Sequence, residues 1–354
     1  HISYYRNMQK DEKQINILAI ETSCDETAAA VVTNGKLVRS SVVSSQIKLH
    51  EMYGGVVPEI ASRAHIEKIY PVVQQALNQA NMTRDNIDAI AIANQPGLAV
   101  ALIVGVTAAK TLAFTWGKPL IAINHIHAHM QAALLENNET ELPAVALIVS
   151  GGHTSIYDCH DLLAPKLLGH TIDDAAGEAF DKVASMLKLS YPGGPSIEKA
   201  AQPGNPKAIR FPRTMLEKDS LNFSFSGIKT AVLYHCQGHD MKGKSLVDEM
   251  TSQQIADVAA SFQTAVVDVL VKKTKRAIQK TNAKTVLIGG GVAANSLLRQ
   301  QLQQMCDNYR PAVKLLIAPK KYCTDNAVMV ASLAYYKYLK NMFSDLSLEP
   351  KATG

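Results

Sequence analysis

Residues Ile15–Thr33 read INILAIETSCDETAAAVVT, two apolar runs interrupted by a charged and hydroxylated turn. Ile15–Glu21 has the near-continuous apolar character of a strand buried on both faces, and Ala28–Thr33 returns as a second strand. Between them, Thr22-Ser23-Cys24-Asp25-Glu26-Thr27 is a polar turn. Leu37–Ser44 makes a third strand. Ile60–Ala80 has the length and period of an amphipathic helix. Strands at Ala89–Ala93 and Leu120–Asn124 then flank a helix at about Leu102–Trp116.

The same order begins again further on. Ala144–Ser150 is a buried strand, Gly151-Gly152-His153-Thr154 a tight turn, and Ser155–Cys159 a returning strand. Leu163–Ile172 supplies a third strand, and helices follow at Ala176–Lys188, Ile228–Cys236 and Ser252–Thr281. Strands Thr285–Ile288 and Val313–Ala318 enclose a helix at Ser296–Asn308. A hairpin, a third strand and two helix–strand units thus occur twice with almost no shared residues, a repeat on the scale of a domain. This predicts an α/β protein with the two-lobed fold of actin, sugar kinases and Hsp70, its duplicated mixed-sheet subdomains set around a central cleft. Residues 15–140 plus 325–342 form the first lobe, with the last helix, Asp325–Lys340, crossing back to it. Residues 143–322 form the second, and residues 1–14 and 344–354 are expected as flexible ends.

Composition agrees with a folded, soluble chain: 354 residues, 47% hydrophobic and 19% charged. The net charge of +5 permits a nucleic-acid partner without requiring one, and no basic block stands out. Five scattered cysteines with no CxxC pair exclude a disulfide framework and suit a reducing compartment. His1–Gln14 has no apolar core for a signal peptide. Gly105, Thr107 and Lys110 break the stretch Leu98–Trp116, which reads as a buried helix, not a membrane span. The expected location is cytoplasmic, or organellar in a eukaryote, with no membrane partner.

Several sets of residues can carry chemistry. His125 and His129, four apart at the start of a helix, share a face and can grip one cation; His127 points elsewhere. An isolated HxxxH is as readily a pair of incidental histidines, and Ile126 stands where a metallopeptidase needs glutamate. Asp325 supplies a third ligand, leaving coordination positions open as in a catalytic site, although an Asp there can equally cap the helix. These ligands suit iron or zinc better than magnesium. Ser150-Gly151-Gly152-His153 and Gly289-Gly290-Gly291-Val292-Ala293-Ala294-Asn295 follow buried strands, where glycine lets backbone N–H groups approach an anion. Glu178 and Asp181 can share a helix face towards ribose hydroxyls, and Tyr191–Pro195 reads as a rigid loop. Asp25 and Glu26 can touch a metal or reacting group, or only stabilise their turn.

Nine runs then carry a resemblance. ILAIETSCDETAAAVV, YGGVVPEIASRAH, INHIHAH, VSGGHT, DDAAGEAFDKVA, YPGGP, NFSFSGIKTAV, IGGGVAANSLLR and CTDNAVMVA occur in this order over Ile17–Ala331. Together the chain closely resembles the tRNA N6-adenosine threonylcarbamoyltransferase family, formerly named O-sialoglycoprotein endopeptidase, in its bacterial or organellar form. The resemblance implies transfer of a threonylcarbamoyl group from threonylcarbamoyl-adenylate to N6 of the adenosine beside the anticodon, in tRNAs reading ANN codons. It implies His125, His129 and Asp325 as ligands of one divalent transition metal, Fe2+ ahead of Zn2+. It implies Val149, Ser150, Gly151, Gly152, His153, Asp181, Gly194 and Asn295 as contacts of the adenylate, with Glu198 joining through the ribose. Asp25 resembles a residue required for activity. The implied partners are tRNA, a paralogous dimerising subunit and a small ATPase. One departure is Gln95 in Asn94-Gln95-Pro96-Gly97-Leu98, where the family more often has glycine; that loop is expected at a partner contact or the cleft entrance. A metallopeptidase, a small-metabolite kinase and a non-catalytic scaffold are the rival readings.

Overall fold

The computed structural model describes residues 14–137, 140–215, 217, 219–237 and 245–353. The expected extension at residues 1–14 lies, except for its last residue, outside them. The chain divides into two compact units, residues 1–140 with 318–354, and residues 141–317.

In the first unit β1 (Asn16–Glu21), β2 (Glu26–Thr33) and β3 (Leu37–Ser45) form an antiparallel meander. After the short α1 (Ile47–His50) comes α2 (Pro58–Ala80), then β4 (Ala89–Gln95), α3 (Ala99–Trp116), β5 (Leu120–Asn124) and α4 (His125–Ala132). β4 pairs parallel with β1, and β5 with β4, giving the order β3-β2-β1-β4-β5. Leu18, Ile20, Ala29, Val31, Ile90 and Ile92 pack with Val72, Val73 and Ala76 of α2 and Val106 and Ala109 of α3. Alternation turns Ile17 and Ala19 to the opposite face, where the last helix of the chain packs. Two buried faces explain why β1 and β2 carry no polar alternation.

The second unit repeats this wiring with β6 (Ala144–Val149), β7 (Thr154–Cys159) and β8 (Lys166–His170). Helices α5 (Ala176–Met186), α6 (Gly193–Ala201), α7 (Ser226–Gln237) and α8 (Ser252–Thr281) precede β9 (Thr285–Gly289), α9 (Ser296–Asp307) and β10 (Lys314–Ile317). Read from the hairpin side the order is β8-β7-β6-β9-β10, the topology of the first sheet. The helix α10 (Ala327–Leu339) belongs to the first unit and packs on β1, β2 and α4.

Three expectations need correction. Ala318–Tyr322 joins the first unit, not the second. The stretch from Ser344 is not a frayed end: Ser344 N–H donates to Leu120 O (2.8 Å), Lys110 Nζ to Leu348 O (3.0 Å) and Lys351 N–H to Asn94 O (2.9 Å). The reason is that β5 is an edge strand with backbone groups to satisfy, and the tail satisfies one of them. Tyr191–Pro195 is a helix start, not a loop throughout, because Pro192 precedes α6 and Pro195 sits in its first turn, where a missing N–H costs nothing. Helices Ala99–Trp116 and Ser252–Thr281 are long and apolar enough to cross a membrane by length and composition, but each packs on its own unit's sheet.

Candidate active site

At the carboxyl end of β5, Asn124 ends the strand and caps α4 by accepting from Ile126 and His127 N–H (2.9 and 3.2 Å). Asn326 does the same for α10 by accepting from Met329 N–H at 3.0 Å. Asparagines therefore do the capping, so His125, His129 and Asp325 are not cap residues. The three meet instead. Asp325 Oδ1 lies 3.4 Å from His125 Nε2 and 3.2 Å from His129 Nε2, and one ligand atom from each residue falls within 4.8 Å of the others. Nitrogen and oxygen donors about 2.0–2.1 Å from a tetrahedral centre sit roughly 3.3 Å apart, so the spacing suits a shared cation. The rings are edge-on, 4.6 Å between centroids at 81°. All three residues lie in one unit, so no approach between units is needed to bring them together.

Glu21, at the end of β1, fixes the His125 ring: its Oε2 lies 2.9 Å from Nδ1. Ser23 Oγ lies 3.1 Å from the same nitrogen, and Glu21 Oε1 accepts from Ser23 N–H at 2.6 Å. A carboxylate on the outer nitrogen orients a ligand histidine and raises its basicity, so the donor set fits a transition metal. Burial disfavours charge on Asp325, yet the His125 and His129 imidazoles hold its carboxyl well below the usual range. Burial also opposes a charged His125, but Glu21 and Asp325 push its pKa well above the ordinary value. His129 is pulled down, chiefly by burial. A cation bound at this point would compete with a proton for His125.

The Ser23–Asp25 turn is held from behind. Leu98 N–H donates to Ser23 O (2.8 Å), and a Cβ on Gly97 would stand 2.5 Å from that same oxygen. The Gln95–Leu98 loop, expected at a partner contact or the cleft entrance, packs against this turn. His65 Nε2 lies 3.0 Å from Cys24 O and its Nδ1 2.8 Å from Thr27 Oγ1. Burial and then the Asp325 charge raise the Asp25 pKa, which places Asp25 within the field of the ligands. Glu26 is turned away to β3, where Oε1 accepts from Ser45 Oγ (2.9 Å); burial pushes its pKa up to about 8.

In the second unit the remaining candidates gather at the carboxyl ends of β6 and β9, where open α/β sheets place their ligands. Ser150 N–H donates to His153 O (2.7 Å) and His153 N–H to Ser150 Oγ (3.2 Å), closing the turn after Val149. Gly177 and Glu178 N–H donate to Ser150 O and Gly151 O (3.2 and 3.1 Å), fastening α5 beneath it. Asp181 Oδ1 accepts from Gly193 N–H (2.7 Å), and Glu198 Oε1 from Ser296 N–H (3.0 Å). Asn295 caps α9 through Leu298 N–H (3.0 Å) and donates to Gln263 Oε1 (2.8 Å). Asp181, Glu198 and Asn295 thus hold the rim together. Gly151 and Gly152 are exposed, and added methyl groups there or at Gly194 would meet nothing within 4 Å.

A family description for tRNA N6-adenosine threonylcarbamoyltransferase (TsaD) matches residues 37–332. The chain belongs to this family. Its relatives include the Clostridium botulinum (strain Kyoto / Type A2) enzyme, 50% identical over 337 residues, covering 95% of this chain and 96% of the relative. The Moorella thermoacetica enzyme is 50% identical over 335 residues, with 95% of each chain covered. Among solved structures, T. kodakarensis HypF has a TM-score of 0.63 at 14% identity, covering 94% of this chain and 48% of that one. Component A of Acidaminococcus fermentans (R)-2-hydroxyglutaryl-CoA dehydratase has a TM-score of 0.53 at 14% identity, over 91% and 98%. Both share the fold, and the expected α/β class is met with two mixed sheets of equal wiring. As a member of the threonylcarbamoyltransferase family the chain is a transferase that acts in tRNA modification.

Sequence reasoning missed Glu21, Ser23 and His65. The signal for Glu21 was present, since a carboxylate closing an apolar strand is expensive to bury without a partner. His127, central in the histidine run, stays out of the ligand set; burial lowers its pKa to about 4.

Proposed function

We propose that this transferase moves a threonylcarbamoyl group from threonylcarbamoyl-adenylate to the exocyclic N6 of the adenosine beside the anticodon, in tRNAs reading ANN codons. The observation that supports it most is the convergence of His125, His129 and Asp325 on one point, with His125 oriented by Glu21. A divalent transition metal, iron ahead of zinc, would be held there and would polarise the carbamoyl carbonyl as a Lewis acid. The donor is an acyl-phosphate anhydride, already activated, so the protein's task is to position it and to accommodate charge on the leaving phosphate. The new C–N bond forms as the C–O bond to phosphate breaks, N6 loses a proton, and adenylate departs. The backbone of the Val149–His153 turn, with Gly194 at the start of α6, is the place we assign to the adenylate. Asp181, Glu198 and Asn295 act there chiefly by holding that rim in shape. Asp25 is the carboxylate we assign to the reacting group, since it lies in the turn that follows Glu21 and Ser23, both of which contact His125; burial and then Asp325 raise its pKa.

A paralogous dimerising subunit and a small ATPase are proposed as partners, in the cytoplasm or an organelle. A peptidase reading lacks its motif at the histidines, because Ile126 stands where an HExxH sequence has its glutamate. The test is transfer in vitro from threonine-labelled adenylate to tRNA transcripts, with the partner proteins present. Label should enter a transcript that reads an ANN codon and be absent when the adenosine beside the anticodon is replaced by guanosine. Equal labelling of both transcripts would refute the assigned acceptor.

A further inference from the structure

The second unit carries a groove of about 580 Å3 between α8 and α9, on different residues from the adenylate-binding rim. Lys275 and Gln279 reach it from α8, Gln304 and Asn308 from α9 and the turn after it, and Tyr309 and Arg310 close one end. None of its lining side chains is acidic. The α8 stretch is also more basic than the chain's mild net charge suggests. Lys272, Lys273, Lys275, Arg276, Lys280 and Lys284 fall between residues 272 and 284 with no acid among them. The expectation that no basic block exists is therefore corrected. Lys272, Lys273, Lys275 and Arg276 are close neighbours in sequence, but helical rotation turns them to different faces of α8, with Lys273 inward.

These cations are not equivalent. Lys273 is fully buried and donates to Met215 O and Ser220 O (3.0 and 2.9 Å), so it anchors a loop. Lys272, Lys275, Lys280 and Lys284 are exposed. Arg276 has a guanidinium nitrogen shielded from water for which no described residue provides an acceptor. The only acid of α9, Asp307, is engaged by Gln303 Nε2 at 2.7 Å. Surface lysines alone would be a solvated face. A concave site combining cations, side-chain amides and a tyrosine is different chemistry: cations pair with phosphates, while amides both donate to and accept from ribose hydroxyls.

We infer that the α8–α9 groove docks the phosphodiester backbone of the substrate tRNA, away from the reacting adenosine. The inference rests on the family's tRNA substrate. Shape and charge, not base identity, are what this surface reads, so it adds affinity without sequence preference.

The test measures tRNA binding and turnover of the complete enzyme with its partner proteins, at several salt concentrations. Lys275→Gln with Arg310→Gln should weaken tRNA binding about tenfold near 0.1 M salt and lower the salt slope by about 1.5. The KM for tRNA should rise with kcat unchanged. Because Arg310 also bonds Asp307 O and Tyr309 O, a second pair leaves the framework alone: Gln304→Glu should weaken binding and Gln304→Lys should tighten it. Lys166→Gln with Lys207→Gln, exposed cations elsewhere in the same unit, should have little effect. Unchanged affinity in the groove variants, or an equal loss in the Lys166/Lys207 control, overturns the inference. Wild-type enzyme that modifies no tRNA would instead overturn the proposed function.

Discussion

At the level of single residues, the decisive contact is the one from Glu21 to His125, because a ligand imidazole is only as well placed as the group behind it. Glu21→Gln should lower metal affinity about 10–100-fold with the fold intact, measured by metal titration and circular dichroism. Undiminished affinity would make the carboxylate a structural partner only. Glu26 offers a separate check on the electrostatics. Its pKa is raised to about 8 in the folded protein, against about 4.3 in an unfolded chain. The folded state therefore binds more protons between these values, and stability must fall as pH rises from about 4.3 to 8. Glu26→Gln removes that loss. In metal-free protein the variant should gain roughly 2–4 kcal/mol relative to wild type between pH 5 and 8, read from urea unfolding. Parallel pH profiles would show that Glu26 is ionised in the fold.

At the level of elements, two glycine turns separate folding from function. Gly290 has φ +92° and its Cβ would run into the Val149 carbonyl, so only glycine suits the bend after β9. Gly151 faces open space. Gly290→Ala should cost about 2 kcal/mol or more of stability, whereas Gly151→Ala should leave Tm unchanged and still impair transfer if the adenylate approaches that backbone. Full activity in a well-folded Gly151→Ala variant would move the adenylate elsewhere. Much at this scale was legible in the residues. Apolar runs ending in turns located all ten strands among the described residues, and the HxxxH spacing with a distant aspartate picked out three side chains that meet in the structure. What was not legible has identifiable causes. Glu21 reads as the last residue of its strand, and its pairing with His125 across 104 positions leaves no local pattern that names the partner. The α6 start was hidden by Pro-Gly-Gly-Pro, a composition that suits a loop and a helix N-terminus alike.

For the whole molecule, the duplicated wiring was readable from the order of elements, since sequential hairpins and right-handed crossovers leave few topologies. The path of the tail was not, because its hold on the first unit is made mainly by backbone and lysine hydrogen bonds, to Leu120, Asn94 and Lys110. Removing residues 344–354 should therefore lower the Tm of the first unit by several degrees and reduce metal retention, since β5 leads directly into the His125 helix. An unchanged Tm would return the tail to the status of an unattached end. The proposed function stands on His125, His129 and Asp325 of the first unit, the side chains that would hold the metal. The most direct measurement is mass spectrometry of tRNA nucleosides from cells depleted of this protein and supplied with Asp325→Ala. Threonylcarbamoyladenosine should return with the wild-type gene and stay absent with the variant; normal levels with Asp325→Ala would contradict the account.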